Sequence, residues 1–293
     1  MKLFSETMPF LKGNLHCHTT RSDGKLRPKE VEAVYRAQGY DFLAITDHRI
    51  LSPQARREGG MLLLPGVEMD YALPGEALHM IGFGMSDELA DWLRNPGAPQ
   101  DYIDAVRRYG GRAIIAHPAW SLNTLSTLTS LNGVTAVEIY NTVSGLPWNG
   151  DRADSSLLMD IAATHGKLFR FVASDDAHFY NGEAGRSYTM VQADELSQAA
   201  LIAAMDAGRF YCSQGPRFEQ ITMENGRLEV RCSPVSSIVF YSNLVWSNER
   251  THTGVEMTSA SYDLTASNVE SFVRVQLVDA AGRSAWSNPI ALQ

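Results

Sequence analysis

Gly13-Asn14-Leu15-His16-Cys17-His18-Thr19-Thr20-Arg21-Ser22-Asp23-Gly24 reads as a short strand, Gly13–His16, running into two histidines and an acid. Alternate side chains of an extended chain share a face. Both imidazoles can therefore meet one ion while Cys17 points into the packing. Asp23 follows in a Ser-Asp-Gly turn that can swing its carboxylate back toward them.

Outward from this stretch the same plan repeats. Strand candidates follow at Phe42–Thr46, Leu62–Val67, His79–Phe83, Ala113–Ala116, Ala136–Tyr140 and Leu168–Ala173. Between them lie helical patterns. Pro28 opens one, Val31, Val34 and Tyr35 give its apolar stripe, and Gly39 ends it. Others are expected at Tyr102–Tyr109, Ser155–His165 and Leu196–Ala207. Strand and helix in repetition imply an α/β unit with a mostly parallel sheet and helices outside, open or closed as a barrel.

Beyond Gly215-Pro216 the texture changes to Val, Thr, Tyr and Ser, with turn signals at Asn225-Gly226 and Ala281-Gly282. Strands are expected at Gln220–Cys232, Ser236–Trp246, Tyr262–Ala266 and Phe272–Val278. The reading is an α/β domain over residues 1–215 and a small antiparallel β-sandwich over 216–293, about 75 residues and near the lower limit for such a unit.

The chain has 293 residues, 20% of them charged, and a formal net charge of -8. An acidic balance argues against a non-specific nucleic-acid or membrane-surface binder, which needs a basic face. No apolar run approaches the roughly 20 residues of a membrane span, and Met1–Phe10 does not read as a signal peptide. Three cysteines, Cys17, Cys212 and Cys232, make no disulfide framework, so a cytoplasmic location is expected.

The chemistry-bearing residues stand where predicted strands end or begin: Thr46-Asp47-His48, Gly66-Val67-Glu68, His79, Ala116-His117-Pro118, Glu138-Ile139-Tyr140-Asn141 and Ser174-Asp175-Asp176-Ala177-His178. In a parallel α/β architecture the carboxyl ends of the strands converge on one rim. Six of the eight histidines lie there, with Asp23, Glu68 and Asp176. Imidazoles and carboxylates without a cysteine ligand suit Zn, Mn or Fe. So many donors exceed what one four-coordinate ion can use, and two or three divalent ions are implied. No G-x-S-x-G elbow and no P-loop occurs, which disfavours serine nucleophiles and P-loop chemistry.

His16-x-His18-Thr19-x-x-Ser22-Asp23-Gly24, Thr46-Asp47-His48, Gly66-x-Glu68, His79, Ala116-His117-Pro118 and Ser174-Asp175-Asp176-x-His178 resemble, in order, the motifs of the polymerase-and-histidinol-phosphatase (PHP) family. The resemblance spans roughly residues 12–190. It implies a distorted seven-stranded β/α barrel and metal-dependent phosphoester hydrolysis. It also implies one ion on His16, His18, Glu68 and Asp176, a second on Asp23, His48 and His178, and a third on Glu68, His79 and His117. The tail Ala285-Trp286-Ser287-Asn288-Pro289-Ile290 resembles the β-rich end of the carbaryl-hydrolase-like subgroup.

Histidine ligands need an acceptor behind them, and Asp47 and Asp175 are the candidates, with His178 a candidate proton donor. Arg186 is the expected phosphate contact and Asn141 a water or substrate contact. Any one of these histidines, taken alone, fits a structural role better than a ligand; the metal reading rests on the joint pattern. Asp23 alone would pass as a helix cap. Glu138 reads as a surface or supporting group, His165 as a helix-end residue, His252 as solvated and Cys17 as core. The function expected is phosphoester hydrolysis on a small phosphorylated metabolite or nucleotide. Hydrolysis of an amide, ester or carbamate at the same metals, and a non-catalytic metal-stabilised interaction module, are the alternatives.

Overall fold

The structure is a computed structural model and describes residues 1–264 and 269–292. The first strands are β1 (Phe10–Asn14), β2 (Phe42–Ala44), β3 (Arg56–Glu58), β4 (Met61–Leu64), β5 (Gly66–Leu73) and β6 (Glu76–Phe83), with helix α1 (Pro28–Ala37) between β1 and β2. Then come α2 (Leu89–Trp92), α3 (Pro99–Arg108), β7 (Arg112–Ile115), α4 (Leu125–Ser130), β8 (Ala136–Asn141), α5 (Ser156–Thr164), β9 (Phe171–Ser174), β10 (Tyr188–Gln192), α6 (Gln198–Asp206) and β11 (Phe210–Ser213). The predicted helices all form, within a few residues of their expected bounds.

The strands make two sheets. One runs β5-β6-β7-β8-β9; the other has twelve strands and includes β10-β1-β2-β4-β3. Pairing is parallel at β1–β2, β2–β4, β7–β8 and β8–β9, and antiparallel at β5–β6 and β6–β7. The sheet is thus less parallel than the sequence predicts, because β5 and β6 form a hairpin. Gly75 turns it at φ +78°, a conformation that costs glycine little. Two isolated bridges, Cys17 with Ala177 and His48 with Glu68, join the two sheets beyond the ends of β1, β9 and β2 and near the start of β5.

Alternation along the strands builds the cores. Phe42, Ala44, Leu62 and Leu64 face Ile81, Ile114, Ala136 and Val172 of the other sheet. Leu43, Ile45 and Leu63, one residue out of phase, pack with Val31 and Tyr35 of α1. Cys17 is fully buried in that second cluster, as the sequence implied.

The C-terminal residues add β12 (Phe218–Glu224), β13 (Arg227–Ser242), β14 (Thr251–Asp263), β15 (Phe272–Val278), β16 (Ser284–Ser287) and β17 (Ile290–Ala291). Their core includes Ile221, Val230, Ile238, Phe240, Val275 and Leu277, and it takes in Phe4 and Tyr211 from the preceding part. The hairpin turn at Asn225-Gly226 forms as expected. The expected strand Gln220–Cys232 breaks at that turn into β12 and the start of β13, which runs on into the expected Ser236–Trp246 and bends through register shifts near Pro234. Most of β14 escapes prediction: it is largely exposed, so burial imposes no alternating pattern. Of the expected strand Tyr262–Ala266, Thr265 and Ala266 lie outside the described residues.

These strands are joined to the first part. β16 pairs β11, continuing the twelve-stranded sheet. Arg274, 1% exposed, donates through Nε and Nη2 to Asp160 of α5 at 2.6 Å each. Trp286 stacks on Tyr140 at 5.6 Å, and Asn288 accepts from the Phe171 N–H. These contacts brace α5, β8 and β9.

Candidate metal centre

The first ligands follow from the strand ends. Beyond β1, His16 and His18 point the same way, and Cys17 between them hydrogen-bonds across to Thr46. His16 Nε2 lies 3.2 Å from Glu68 Oε2 and 3.0 Å from Asp176 Oδ1. His18 Nε2 lies 3.1 Å from each of the same two oxygens, and the two Nε2 atoms are 3.2 Å apart. All four side chains are buried. A tetrahedral ion with bonds near 2.0–2.1 Å places its ligands roughly 3.3 Å from one another. Five of the six separations here approach that value. Glu68 Oε2 and Asp176 Oδ1 have no hydrogen-bond donor satisfying them, and two buried orphan carboxylate oxygens aimed at one point fit a cation.

A second group surrounds Asp23, whose side chain is half exposed. Its Oδ2 lies 3.4 Å from His178 Nε2 and 3.7 Å from His48 Nε2. His18 turns its Nδ1 to within 3.5 Å of Asp23 Oδ1, so this one imidazole borders both groups. A third group is His48, Glu68 and His79, with His79 Nδ1 at 2.9 Å and His48 Nδ1 at 3.3 Å from the two oxygens of Glu68. His117 Nε2 stands 3.5 Å from Glu68 Oε1. All nine expected residues therefore meet in one cluster, and Glu68 touches every histidine in it except His178. His79 reaches it from mid-strand rather than from a strand start, opposite Asp70 on β5.

The backbone is strained at two of these positions. Asp176 has φ +52° and His117 φ +29°, left-handed values that L-residues avoid. Such strain persists where surrounding structure holds it, and functional sites are where it concentrates.

Burial alone would pull the histidines toward neutrality, yet the carboxylates outweigh it. His18 is held at about 9 by Asp176 and Glu68, and His16 well above its ordinary value by Asp176, Glu68 and Glu138. Burial would raise Glu68 and Asp176, but the histidines beside them drive both down. His48 alone moves the other way, lowered by burial.

The supporting groups differ from the expected ones. Asp47 accepts from the Thr19 N–H and hydroxyl at 2.7 Å and from Ser22 at 2.8 Å, so it pins the loop that carries Asp23. Asp175 accepts from the N–H groups of Gly185, Arg186 and Ser187 at 2.7–2.9 Å and pins that loop. Burial nevertheless lifts its carboxyl to about 7. Both are buried, and their oxygens meet donors of nearby turns rather than a ligand imidazole. The acceptor behind His16 is Glu138, whose Oε1 lies 2.9 Å from Nδ1. Its Oε2 takes the His117 N–H at 2.9 Å and the Asn141 amide at 2.8 Å. Ser121 stands behind His117 at 2.8 Å, and the Tyr180 hydroxyl donates to the His18 carbonyl at 2.6 Å. The one signal for Glu138 in the sequence is its position between two apolar residues of a strand, Val137 and Ile139, both buried.

Asn141 is fully buried. Its amide also donates to Asp176 at 3.2 Å, and its oxygen accepts from Ser144. It braces two acids and is not part of the cleft wall. Arg186 is exposed at the rim; its guanidinium lies 4.8 Å from the centre of the Trp148 ring, and its Nε donates to the Gly182 carbonyl. His165, as expected, is an exposed helix-end residue.

The cluster forms the floor of a cleft of about 230 Å³ whose walls include Trp120, Val143, Trp148 and Phe179. Among the described residues no helix is long and apolar enough to cross a membrane.

No family model matches the chain. A 5'-3' exoribonuclease of Haemophilus influenzae is 30% identical, across 37% of this chain and 49% of that protein, so the chain spans about half that relative's length. An uncharacterised protein of Methanocaldococcus jannaschii is 26% identical across 37% of this chain and 68% of that one. A solved structure from Bacteroides vulgatus, described as a two-domain protein containing a predicted PHP-like metal-dependent phosphoesterase, is similar with a TM-score of 0.55 at 17% identity, covering 97% of this chain and 95% of that one. Over nearly its whole length the chain thus shares the fold of a protein described as PHP-like, and its histidine and carboxylate motifs gather into one cluster.

Proposed function

We propose that the protein is a metal-dependent hydrolase acting as a phosphoesterase on a small phosphorylated metabolite or nucleotide. The supporting observation is the set of four buried donor atoms, five of whose six separations are 3.0–3.2 Å, two of the atoms being orphaned carboxylate oxygens. In this reading His16, His18, Glu68 and Asp176 hold one divalent ion, and Asp23, His48 and His178 a second. Glu68, His79 and His117 hold a third, with His48 also in reach of Glu68. Zn, Mn or Fe suits these donors. When bound, such ions bring the pKa of a water toward about 7 and neutralise charge developing on phosphoryl oxygens.

The chain's own residues do the rest. Glu138 keeps the proton of His16 on Nδ1, leaving Nε2 free to coordinate. Asp47 and Asp175 hold the loops that present Asp23 and Arg186. His178, on the cleft wall, is the residue placed to give a proton to the leaving group. Seven strands, β1, β2, β4 with β5, β6, β7, β8 and β9, are read as the distorted barrel, closed by the two isolated bridges. Residues 216–293 are read as the small β-sandwich domain.

Turnover of nucleotides or sugar phosphates by metal-reconstituted protein, abolished in Asp176→Ala, is the expected result. A full panel of phosphoesters left intact would remove the phosphoesterase reading. One observation favours the second chemistry, attack on a carboxylic ester, amide or carbamate: neither lysine nor arginine lines the cleft. Turnover of carbonyl esters that survives Arg186→Ala would support it.

A further inference from the structure

Given a phosphoesterase centre, we propose that the cleft selects esters with one anionic centre and a flat, uncharged leaving group. Trp148 and Phe179 hold that group, and Arg186 is the residue that positions Trp148.

The cleft divides by charge. Its titratable lining groups are the acids and histidines of the metal cluster, and its other lining side chains are uncharged. Trp120, on the wall nearest the cluster, packs edge-on to His117 at 4.9 Å and to His79 at 5.9 Å. Trp148 and Phe179 stand farther out. Phe179 is 47% exposed, although it follows the buried Ala177 and the part-buried His178 in the chain. The polar side chains between them are largely spent: the Ser144 hydroxyl donates to Asn141, and the Asn149 oxygen accepts from the Gly150 N–H. A flat apolar group seated here leaves water for aromatic contact. A second charge on the same group would be desolvated without a partner, which is costly.

Arg186 is placed to support the wall and not to meet the ester. It does not line the cleft. Its guanidinium lies over the Trp148 ring, the arrangement of a cation–π contact. Its Nε is tied to the carbonyl of Gly182, which sits at φ +93° beneath both side chains: a Cβ there would meet Arg186 Nη2 at 3.6 Å and Trp148 Cζ2 at 4.0 Å. The three residues form one stack at the rim.

The test uses the metal-loaded full chain and two non-hydrolysable probes, phenylphosphonate and methylphosphonate, as inhibitors and as titrants followed by tryptophan fluorescence. Phenylphosphonate is expected to bind about tenfold more tightly, the scale of one aromatic stacking contact. Trp148→Ala removes that preference and Trp148→Phe keeps most of it. Arg186→Ala weakens phenylphosphonate several-fold and leaves methylphosphonate unchanged. Equal binding of the two probes by a protein that turns over phosphoesters overturns the ring subsite alone. Equal weakening of both probes by Arg186→Ala overturns the positioning role, because it makes Arg186 a direct phosphoryl contact. Binding of neither probe, with no phosphoester turned over, overturns the phosphoesterase reading and the subsite with it.

Discussion

His16 and Glu138 share a hydrogen bond of 2.9 Å between Nδ1 and Oε1, with both side chains fully buried. One carboxylate, 122 residues away in sequence, thereby sets which nitrogen of His16 faces the donor cluster. The same carboxylate reaches His117 through its backbone and Asp176 through Asn141.

Glu138→Gln keeps the volume of the side chain and removes its charge. The amide can present a donor where His16 needs an acceptor, which favours the wrong tautomer. Metal affinity is expected to fall 10–100-fold, the usual scale for losing such a partner. Isothermal titration with Zn or Mn, on protein whose circular dichroism matches the parent, measures it. Unchanged affinity would show that Glu138 merely fills space.

Asp23 and Asp176 predict different losses. Asp176 is buried between His16 and His18, whereas Asp23 is half exposed and meets His178 and His48. Asp23→Ala is expected to lower the metal content by about one ion per chain while the buried group still fills. Asp176→Ala is expected to empty the buried group. Elemental analysis after dialysis distinguishes the two.

Without metal, the neighbouring carboxylates favour the protonated forms of His16, His18, His79 and His178. His18, raised from 6.5 to about 9, binds its proton more tightly folded than unfolded. Its stabilisation is fully present below pH 6.5 and fades as pH rises through about 9. One such shift is worth about 3 kcal/mol at most. His16, His79 and His178 act in the same direction. Chelator-treated protein should therefore lose thermal stability between pH 6.5 and 9. Metal should erase that slope and release protons on binding, measurable as a buffer-dependent heat.

Arg274 and Asp160 form a largely buried pair between the C-terminal strands and α5. Asp160→Ala leaves the guanidinium buried and unpaired, and is expected to cost about 3–5 kcal/mol. Urea unfolding of Asp160→Ala against the double variant Asp160→Ala/Arg274→Met tests this, because the double variant should recover much of the loss.

The sequence by itself determined the alternation of strand and helix, the change of texture after Gly215-Pro216, and the nine residues that meet in the cluster. These were legible because alternation and periodicity are local, and because histidines clustered at strand ends are rarely placed there by packing alone. Tertiary structure decided which groups stand behind the ligands. Asp47 and Asp175 lie beside expected ligands in the chain, His48 and Asp176, but the nearest donors in space are the turns at Thr19–Ser22 and Gly185–Ser187, and these take their oxygens. Glu138 looks like an ordinary polar residue in a strand until β8 sets it beneath His16. Asn141 and Arg186, expected as substrate contacts, lie near the cluster but are engaged elsewhere, one by Glu138 and Asp176 and the other by Trp148. A hydrogen bond between distant residues depends on which pair is closest after folding, and that distance is not written in the spacing along the chain.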